Sequence, residues 1–358
     1  MTLTATQSAI IHWVRFVCSQ AVVLAHLFGF FHWQVGPFNA MGSYAVLVFF
    51  ILSGFLIAFS IRQKSEHQPA YGFMDYLRDR FFRIYPPFVA TLLLVFVLDI
   101  AQFEYTQQLY SFKQYIVNLS INLLQLQEFP LATYLNDHYM IEAFRFRVMG
   151  TNIPLWTISI EWWLYIFYGF LVFYIVKAQR VKMIHWALLL FFALTPLYYM
   201  FIAARMDKGL TLIWFLGALG VTAQFTEFKN LSKRTLLLSA LLLLIGLTGF
   251  LKMGYHGAIL IFFLGFYFIM AHKTDRLPIV ERSHSIAKFL ADYSYSLYLT
   301  HYSVILFIMA VFPLNKNATE LGLIYIFVNL FAFGFAYLFE RPSAQWKKRY
   351  ENYRSIRN

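Results

Sequence analysis

The sequence predicts an all-α integral membrane protein with about ten transmembrane helices and with both termini in the cytoplasm. Hydrophobic residues make up 60% of its 358 residues and charged residues only 13%, which is far too apolar for a soluble domain of this size. Apolar segments long enough to cross about 30 Å of hydrocarbon recur along the chain. Basic residues gather between alternate segments, as the positive-inside rule requires.

The apolar segments follow one another with mostly short loops between them. They lie at residues 10–32, 42–61, 84–102, 153–176, 184–203, 210–225, 235–251, 255–272, 289–312 and 321–339. We expect the first to be a retained helix, because it is long enough to span and no basic region of a secretory signal precedes it. The expected organisation is one transmembrane domain over residues 1–340 and a basic cytoplasmic tail over residues 341–358.

Residues 112–126 are expected to form an interfacial or re-entrant piece. The stretch is short and carries amide side chains at Asn118, Asn122 and Gln125, with Gln127 directly after it. Ten spans leave seven of the 29 basic residues outside and the other 22 inside. Those outside are Lys113, Arg145, Arg147, Arg205, Lys208, Lys252 and Lys316. An additional span here would move the basic tail outside, against the positive-inside rule.

The first apolar segment contains two ionisable residues, Arg15 and His26. Eleven residues of helix correspond to about three turns plus about 20°, so both side chains leave nearly the same face, about 16 Å apart along the axis. A charged and a titratable group aligned inside a membrane must face protein or water rather than lipid. This face is therefore predicted to line a polar interior site.

A pair of arginines, Arg80 and Arg83, precedes the third span. Three residues apart on a helix, they are neighbours about 5–6 Å apart, a geometry suited to binding phosphate or pyrophosphate. Anchoring of the helix end among anionic lipid head groups explains the pair equally well. Pro86 and Pro87 are expected to break or kink the chain as it enters the span.

Glu161 lies about 12 Å inside the fourth predicted span. Thr157, Tyr165 and Tyr168 share its helix face by their three- and four-residue spacing. A carboxylate at this depth indicates a functional site, with a structural ion pair as the alternative. By depth, His26 falls near Glu161 and Arg15 nearer the arginine pair, which suggests one polar channel with a cationic cytoplasmic mouth.

Other classes of site have little support in the sequence. The single cysteine, Cys18, excludes an intrachain disulfide, and no metal site is expected because the histidines are scattered and HExxH is absent. No nucleic acid is expected as a partner. His301 is more typical of a packing residue, and Ser53 with Gly54 of a close helix approach. A transporter or flippase with a proton or anion path through Arg, His and Glu remains an alternative to an enzyme.

Six motifs in order resemble acyltransferase family three, the multi-spanning bacterial membrane acyltransferases of surface glycans. They are Arg15 with His26, residues 49–57 (FFILSGFLI), residues 80–86 (RFFRIYP), residues 155–161 (LWTISIE), residues 293–301 (YSYSLYLTH) and residues 340–342 (ERP). The resemblance implies an O-acyltransferase of the bacterial inner membrane. Its donor would be acyl-coenzyme A, with acetyl-coenzyme A as the default. Its acceptor would be a glycan or lipid-linked glycan, such as lipopolysaccharide O-antigen or exopolysaccharide, among membrane lipids.

The resemblance also assigns roles to individual residues. His26 matches the histidine taken as essential for transfer, Arg15 its partner, and Glu161 the acidic position after the tryptophan. Arg80 and Arg83 match the pair associated with the acyl-coenzyme A donor, to which Arg15 and Tyr85 are added. Possible cavity residues are Ser53, Trp156, Tyr165 and His301. His26 is expected to act as general base or brief acyl carrier, with Glu161 orienting a partner group and Arg15 stabilising negative charge.

Overall fold

A computed structural model describes residues 2–102, 112–130, 148–201, 209–224, 233–272 and 277–357. These residues form helices and connecting turns with no strand among them, which confirms the all-α prediction for this part of the chain. The helices are α1 (Ala5–Phe30), α2 (Met41–His67), α3 (Phe73–Ala101), α4 (Phe112–Leu123), α5 (Trp156–Phe170), α6 (Met183–Phe201), α7 (Leu210–Leu219), α8 (Lys233–Ala271), α9 (Pro278–Arg282), α10 (His284–Ala291), α11 (Ser294–Val311), α12 (Ala318–Phe335) and α13 (Ser343–Arg357).

Seven helical segments of the described residues are long and apolar enough to cross a membrane. They are Ala5–Phe30, Gly36–His67, Phe73–Ala101, Ile153–Val176, Met183–Phe201, Ser294–Val311 and Ala318–Tyr353. Three shorter apolar helices, Leu210–Gln224, Thr235–Gly249 and Tyr255–Ala271, coincide with the three shortest predicted spans. The chain is therefore a helical membrane protein, while the count of ten spans and the side of the termini remain predictions.

The chain divides into two compact units, each built from stretches distant in sequence. The first unit combines residues 1–71 with residues 206–294, and the second combines residues 72–205 with residues 295–358. The second unit includes α13, which the sequence treats as a tail. The single domain expected over residues 1–340 stays a prediction.

The first unit is packed through glycines that allow helices to approach closely. A Cβ at Gly54 on α2 would overlap the carbonyl oxygen of Trp214 on α7, and a Cβ at Gly217 would overlap that of Ile51. Small residues are what tight membrane helix crossings use, because there the backbones approach closely and gain van der Waals contact. The expected role of Gly54 in close helix approach is confirmed.

Helix α8 turns back on itself within the first unit. A Cβ at Gly246 would overlap the backbone of Phe262, yet 16 residues of straight helix would separate the two by about 24 Å. Its halves, Thr235–Gly249 and Tyr255–Ala271, therefore pack against each other as two arms. This arrangement agrees with two short spans at 235–251 and 255–272.

Helix α3 begins the second unit and differs from its prediction at Pro86 and Pro87. The helix runs unbroken from Phe73 to Ala101 with both prolines inside it, so the chain does not break there, and the expected alternative of a kink stays a prediction. Neighbouring helices and side-chain hydroxyls in a membrane protein compensate the backbone groups that proline leaves without a partner. One such hydroxyl is that of Thr91, which donates to the carbonyl oxygen of Pro87 at 2.9 Å. The continuous helix places Arg80 and Arg83 on one face.

Two other segments refine the predicted boundaries. Helix α4 has 12 residues and rises about 18 Å, too little to cross the hydrocarbon, in agreement with a non-spanning piece at 112–126. The span expected at 289–312 is divided, because α10 ends at Ala291 and α11 begins at Ser294. Residues 103–152 connect the spans expected at 84–102 and 153–176, and of these, residues 103–111 and 131–147 lie outside the described part.

Candidate functional site

Arg15 and His26 lie on α1 in the first unit. The helix starts at a capping box, in which Thr4 Oγ1 accepts from the backbone N–H of Gln7 at 3.2 Å. It continues without a break to Phe30, so the two side chains leave nearly the same face, about 16 Å apart. Both are half-buried. Arg15 Nη2 donates to Ser294 Oγ at 3.0 Å, which fixes the guanidinium within this unit.

Ser53, a cavity candidate, lies at the glycine crossing of α2 and α7. Its hydroxyl oxygen accepts a hydrogen bond of 3.1 Å from the indole N–H of Trp214. The indole is fully buried, and buried Trp N–H groups usually find a partner. Ser53 therefore provides the hydrogen-bond acceptor for the indole N–H of buried Trp214 at this helix crossing.

The clearest charged cluster belongs to the second unit and is centred on Glu340. Its carboxylate is only 2% exposed and pairs with Arg83, whose Nη1 lies 2.9 Å from Oε1. Ser296 donates to Oε2 through both its backbone N–H, at 3.2 Å, and its hydroxyl, at 2.7 Å. Arg83 also lies over the ring of Tyr295, 5.7 Å from its centre. A buried carboxylate is stable only with such partners.

This cluster joins three of the sequence motifs that no spacing argument connects. Arg83 comes from the Arg-x-x-Arg motif, Tyr295 and Ser296 from residues 293–301, and Glu340 from the ERP motif. The side chain of Arg83 is 47% exposed, so its fork of N–H donors is positioned by Glu340 and still meets solvent. A guanidinium with five donors has capacity for a second anion.

Arg80, one turn earlier on the same face, lies over the ring of Tyr76 at 5.7 Å. The hydroxyl of Tyr76 donates to the backbone carbonyl oxygen of Tyr165 at 3.0 Å. Tyr165, a predicted cavity residue, is buried, and its carbonyl oxygen holds the ring of Tyr76 in place beneath Arg80. Tyr85 donates to the carbonyl oxygen of Leu123 at 3.0 Å. Its ring stacks on Phe81 with 4.5 Å between centres.

Glu161 lies half-buried on α5, in the same unit as Arg83. Tyr298 shares a 2.7 Å hydrogen bond with Thr157 Oγ1, one turn before Glu161. Trp156, at the start of α5, is buried. Glu161 and the arginine cluster therefore belong to the same unit.

His301 on α11 is fully buried. Its Nδ1 lies 2.9 Å from the carbonyl oxygens of Leu297 and Tyr298. Carbonyl oxygens only accept hydrogen bonds, so the neutral ring carries its proton on Nδ1. Nε2 is then the basic nitrogen of this imidazole.

Three paired acids escaped assignment from the sequence. Asp79, beside the arginine pair, forms an ion pair of 2.5 Å with Lys347 on α13. Asp99 accepts four hydrogen bonds, from Gln102, Tyr115 and both the N–H and hydroxyl of Thr151. Glu128 accepts from the hydroxyl of Tyr199. In the sequence, the ERP motif and the basic tail are visible as charged segments. Neither segment indicates which residue it pairs with.

Several buried amide atoms lack a hydrogen-bond partner among the described residues. They include both side-chain polar atoms of Asn118, Nε2 of Gln125, Oε1 of Gln127 and Oδ1 of Asn152, all in the second unit. Buried amides of this kind are met by ordered water or by a hydroxyl-rich ligand. Across the same described residues, no group of three His, Cys, Asp or Glu side chains is arranged to hold a metal ion.

The predicted site residues are distributed over both units of the chain. Arg80, Arg83, Tyr85, Trp156, Glu161, Tyr165 and His301 belong to the second unit, and Arg15, His26 and Ser53 to the first. Within the second unit, Arg83 lies over the ring of Tyr295, and Tyr298 bonds Thr157, one turn before Glu161. Within the first, Arg15 and His26 share one helix.

Comparisons with known proteins give one match. A family model described as an acyltransferase domain, that of acyltransferase family three, matches residues 8–341, nearly the whole chain. Searches of curated proteins and of solved structures gave no match. The match favours an enzyme over the transporter or flippase that the buried charges alone leave open.

Proposed function

The chain belongs to acyltransferase family three, and we propose that it is a membrane O-acyltransferase that uses acyl-coenzyme A as donor and a glycan hydroxyl as acceptor. Acetyl is the proposed acyl group. The proposed acceptor is a cell-surface glycan such as lipopolysaccharide O-antigen or exopolysaccharide, free or lipid-linked. The proposed site of action is the bacterial inner membrane, with ten spans and both termini in the cytoplasm.

The observation that carries this proposal is the positioned, half-exposed guanidinium of Arg83 beside Arg80. Coenzyme A carries a pyrophosphate and a further phosphate, and guanidinium groups bind such oxygens through paired N–H donors. Glu340 fixes the orientation of Arg83 in advance, which lowers the entropy lost when a donor binds. A head-group anchor would need no such buried partner, which supports the donor role over lipid anchoring.

The proposed chemistry is transfer of the acyl group from sulfur to oxygen. The acceptor hydroxyl oxygen attacks the thioester carbonyl carbon, the carbon–sulfur bond breaks, and coenzyme A leaves as its thiol. A hydroxyl is a weak nucleophile unaided, so His26 is assigned to accept its proton and return it to the departing sulfur. Arg15 stabilises the negative charge that develops on the carbonyl oxygen, and Glu161 orients a partner group. Brief transfer of the acyl group onto His26 is the alternative course.

The test is release of free coenzyme A from acetyl-coenzyme A by the purified protein in lipid nanodiscs, with and without surface glycan. Wild type is expected to turn over, His26→Ala to lose turnover while still binding donor, and Arg80→Ala to bind donor more weakly. Two exposed residues give matched controls, His67→Ala for the imidazole and Arg349→Ala for the guanidinium. Absence of donor binding and of turnover across a panel of acyl chains would overturn the proposal.

A further inference from the structure

Helix α13 packs antiparallel against the start of α3. Along α3 the contacts run from Asp79 to Arg83, while along the C-terminal segment they run backwards from Lys347 to Glu340. Lys347 Nζ lies 2.5 Å from Asp79 Oδ1, and Arg83 Nη1 lies 2.9 Å from Glu340 Oε1. The Lys347 pair joins α3 to α13, and the Arg83 pair joins α3 to the helical segment Ala336–Glu340, which precedes α13.

One turn after Lys347 on α13, Tyr350 makes a further contact with α3. The ring of Tyr350 lies 5.8 Å from the ring of Phe82 and 5.8 Å from the guanidinium of Arg78. Arg78 in turn pairs with Asp75 at 3.0 Å. The basic tail is thus a docked helix of the second unit whose side chains meet the arginine-bearing turn of α3.

The ion pair of Asp79 matters for its neighbours on α3. Asp79 lies four residues before Arg83, the spacing and order in which an acid and a base pair best along a helix. Its carboxylate is largely buried, with 7% of the side chain exposed, so it needs a cation. Lys347 supplies one from α13 and so keeps Asp79 from competing for Arg83.

We propose that Lys347 is a positioning residue of the donor site, holding Asp79 away from Arg83 and keeping the Arg80 and Arg83 face of α3 net positive for an anionic donor. This inference rests on the proposed function. With Lys347 removed, Asp79 turns to Arg83 along its own helix and opposes the donor phosphates. The loss appears in donor affinity rather than in the chemical step.

The experiment measures binding of free coenzyme A and the KM for acyl-coenzyme A in nanodiscs. Lys347→Ala is expected to raise both Kd and KM about three- to tenfold, with kcat nearly unchanged, because the positive charge of Lys347 at short range from Asp79 is lost. Lys348→Ala, which removes the same charge from the exposed neighbouring position, is expected to change neither by more than about twofold on screening grounds. Lys347→Arg is expected to restore binding.

The decisive variant is Asp79→Asn combined with Lys347→Ala, which is expected to bind donor like wild type because the competing charge is gone. Asp79→Asn alone is expected to bind donor at least as tightly as wild type, which keeps the test valid where Lys347→Ala folds poorly. Equal binding by Lys347→Ala and Lys348→Ala, or no recovery in the double variant, would overturn the role of Lys347. A wild type that does not bind coenzyme A would instead overturn the proposed function.

Discussion

Arg83 and Glu340 form a 2.9 Å ion pair between the third helix and the C-terminal end of the chain. Its two partners differ in environment, since the side chain of Glu340 is 2% exposed and that of Arg83 is 47% exposed. The carboxylate depends on the guanidinium for compensation, whereas the guanidinium keeps access to solvent. The pair therefore stabilises the buried carboxylate of Glu340 and leaves the guanidinium of Arg83 accessible to a ligand.

Removing Arg83 is expected to destabilise the protein. Arg83→Met leaves the buried carboxylate of Glu340 with only the hydrogen bonds from Ser296. We expect the free energy of unfolding to fall by about 1–3 kcal/mol. This is less than for a fully buried pair, because solvent screens the half-exposed guanidinium. Arg83→Met combined with Glu340→Gln should regain most of this, because no buried charge remains. Reversible unfolding in SDS micelles measures the difference. Equal stability of the single and double variants would contradict the dependence of Glu340 on Arg83.

The glycine crossing in the first unit gives a prediction about packing. Gly54→Ala and Gly217→Ala place a methyl group against backbone carbonyl groups of the facing helix, and we expect each to cost about 1–3 kcal/mol through overpacking. Gly322→Ala on α12 is the matched control, since nothing lies within 4 Å of its added Cβ. The control should be neutral or stabilising, because alanine favours helix. The same SDS titration measures all three variants.

Asp99 is predicted to hold residues 148–152 in place. Thr151 donates to Asp99 through both its N–H, at 3.1 Å, and its hydroxyl, at 2.6 Å. Asp99→Ala leaves these donors without an acceptor, and unmet buried donors cost about 1–3 kcal/mol each. Hydrogen–deuterium exchange at Thr151 should accelerate at least about tenfold. Asp292→Ala, at a half-exposed acid that pairs with Lys288 of α10, should leave the exchange rate at Thr151 unchanged. An unchanged rate in Asp99→Ala would contradict the structural role of Asp99.

Features of the fold that depend on local sequence can be predicted from the sequence, whereas those that depend on tertiary packing cannot. The first helix with Arg15 and His26 follows from apolar length and from the fixed geometry of 3.6 residues per turn. The division of the expected span at 289–312 does not follow, because Asp292 and Tyr293 interrupt the helix within an otherwise apolar stretch. Hydropathy measures burial in lipid and is insensitive to a turn between two apolar helices.

The ion-pair partners of the site residues could not be predicted from the sequence, for a different reason. Asp79 and Arg83 are visible as charges near a helix start, but their partners Lys347 and Glu340 come from the other end of the chain. Pairing at that distance is decided by tertiary packing, which a single sequence does not encode locally. His301 is similar, since its tautomer depends on where its ring meets the carbonyl oxygens of the preceding turn.

The two candidate imidazoles, His26 of the first unit and His301 of the second, are expected to respond differently to substitution. Asparagine is the informative replacement for His301. In His301 the structural bond is Nδ1–H to the carbonyl oxygen four residues earlier, and asparagine makes the same bond elsewhere in this chain. Asn122 donates to the carbonyl oxygen of Asn118 at 2.8 Å, and Asn329 to that of Tyr325 at 2.9 Å. His301→Asn therefore keeps the packing contact and removes the basic Nε2.

We expect His301→Asn to retain acyl transfer within about threefold of wild type, whereas His26→Gln should lose about 10²–10⁴-fold, the usual contribution of a general base. Coenzyme A release at saturating donor, with unfolding measured in parallel, distinguishes lost chemistry from lost structure. A fully folded His301→Asn with a loss as large as that of His26→Gln would make His301 the base instead. Its Nε2, already set as the basic nitrogen by the two carbonyl oxygens, would then supply the proton acceptor from the second unit.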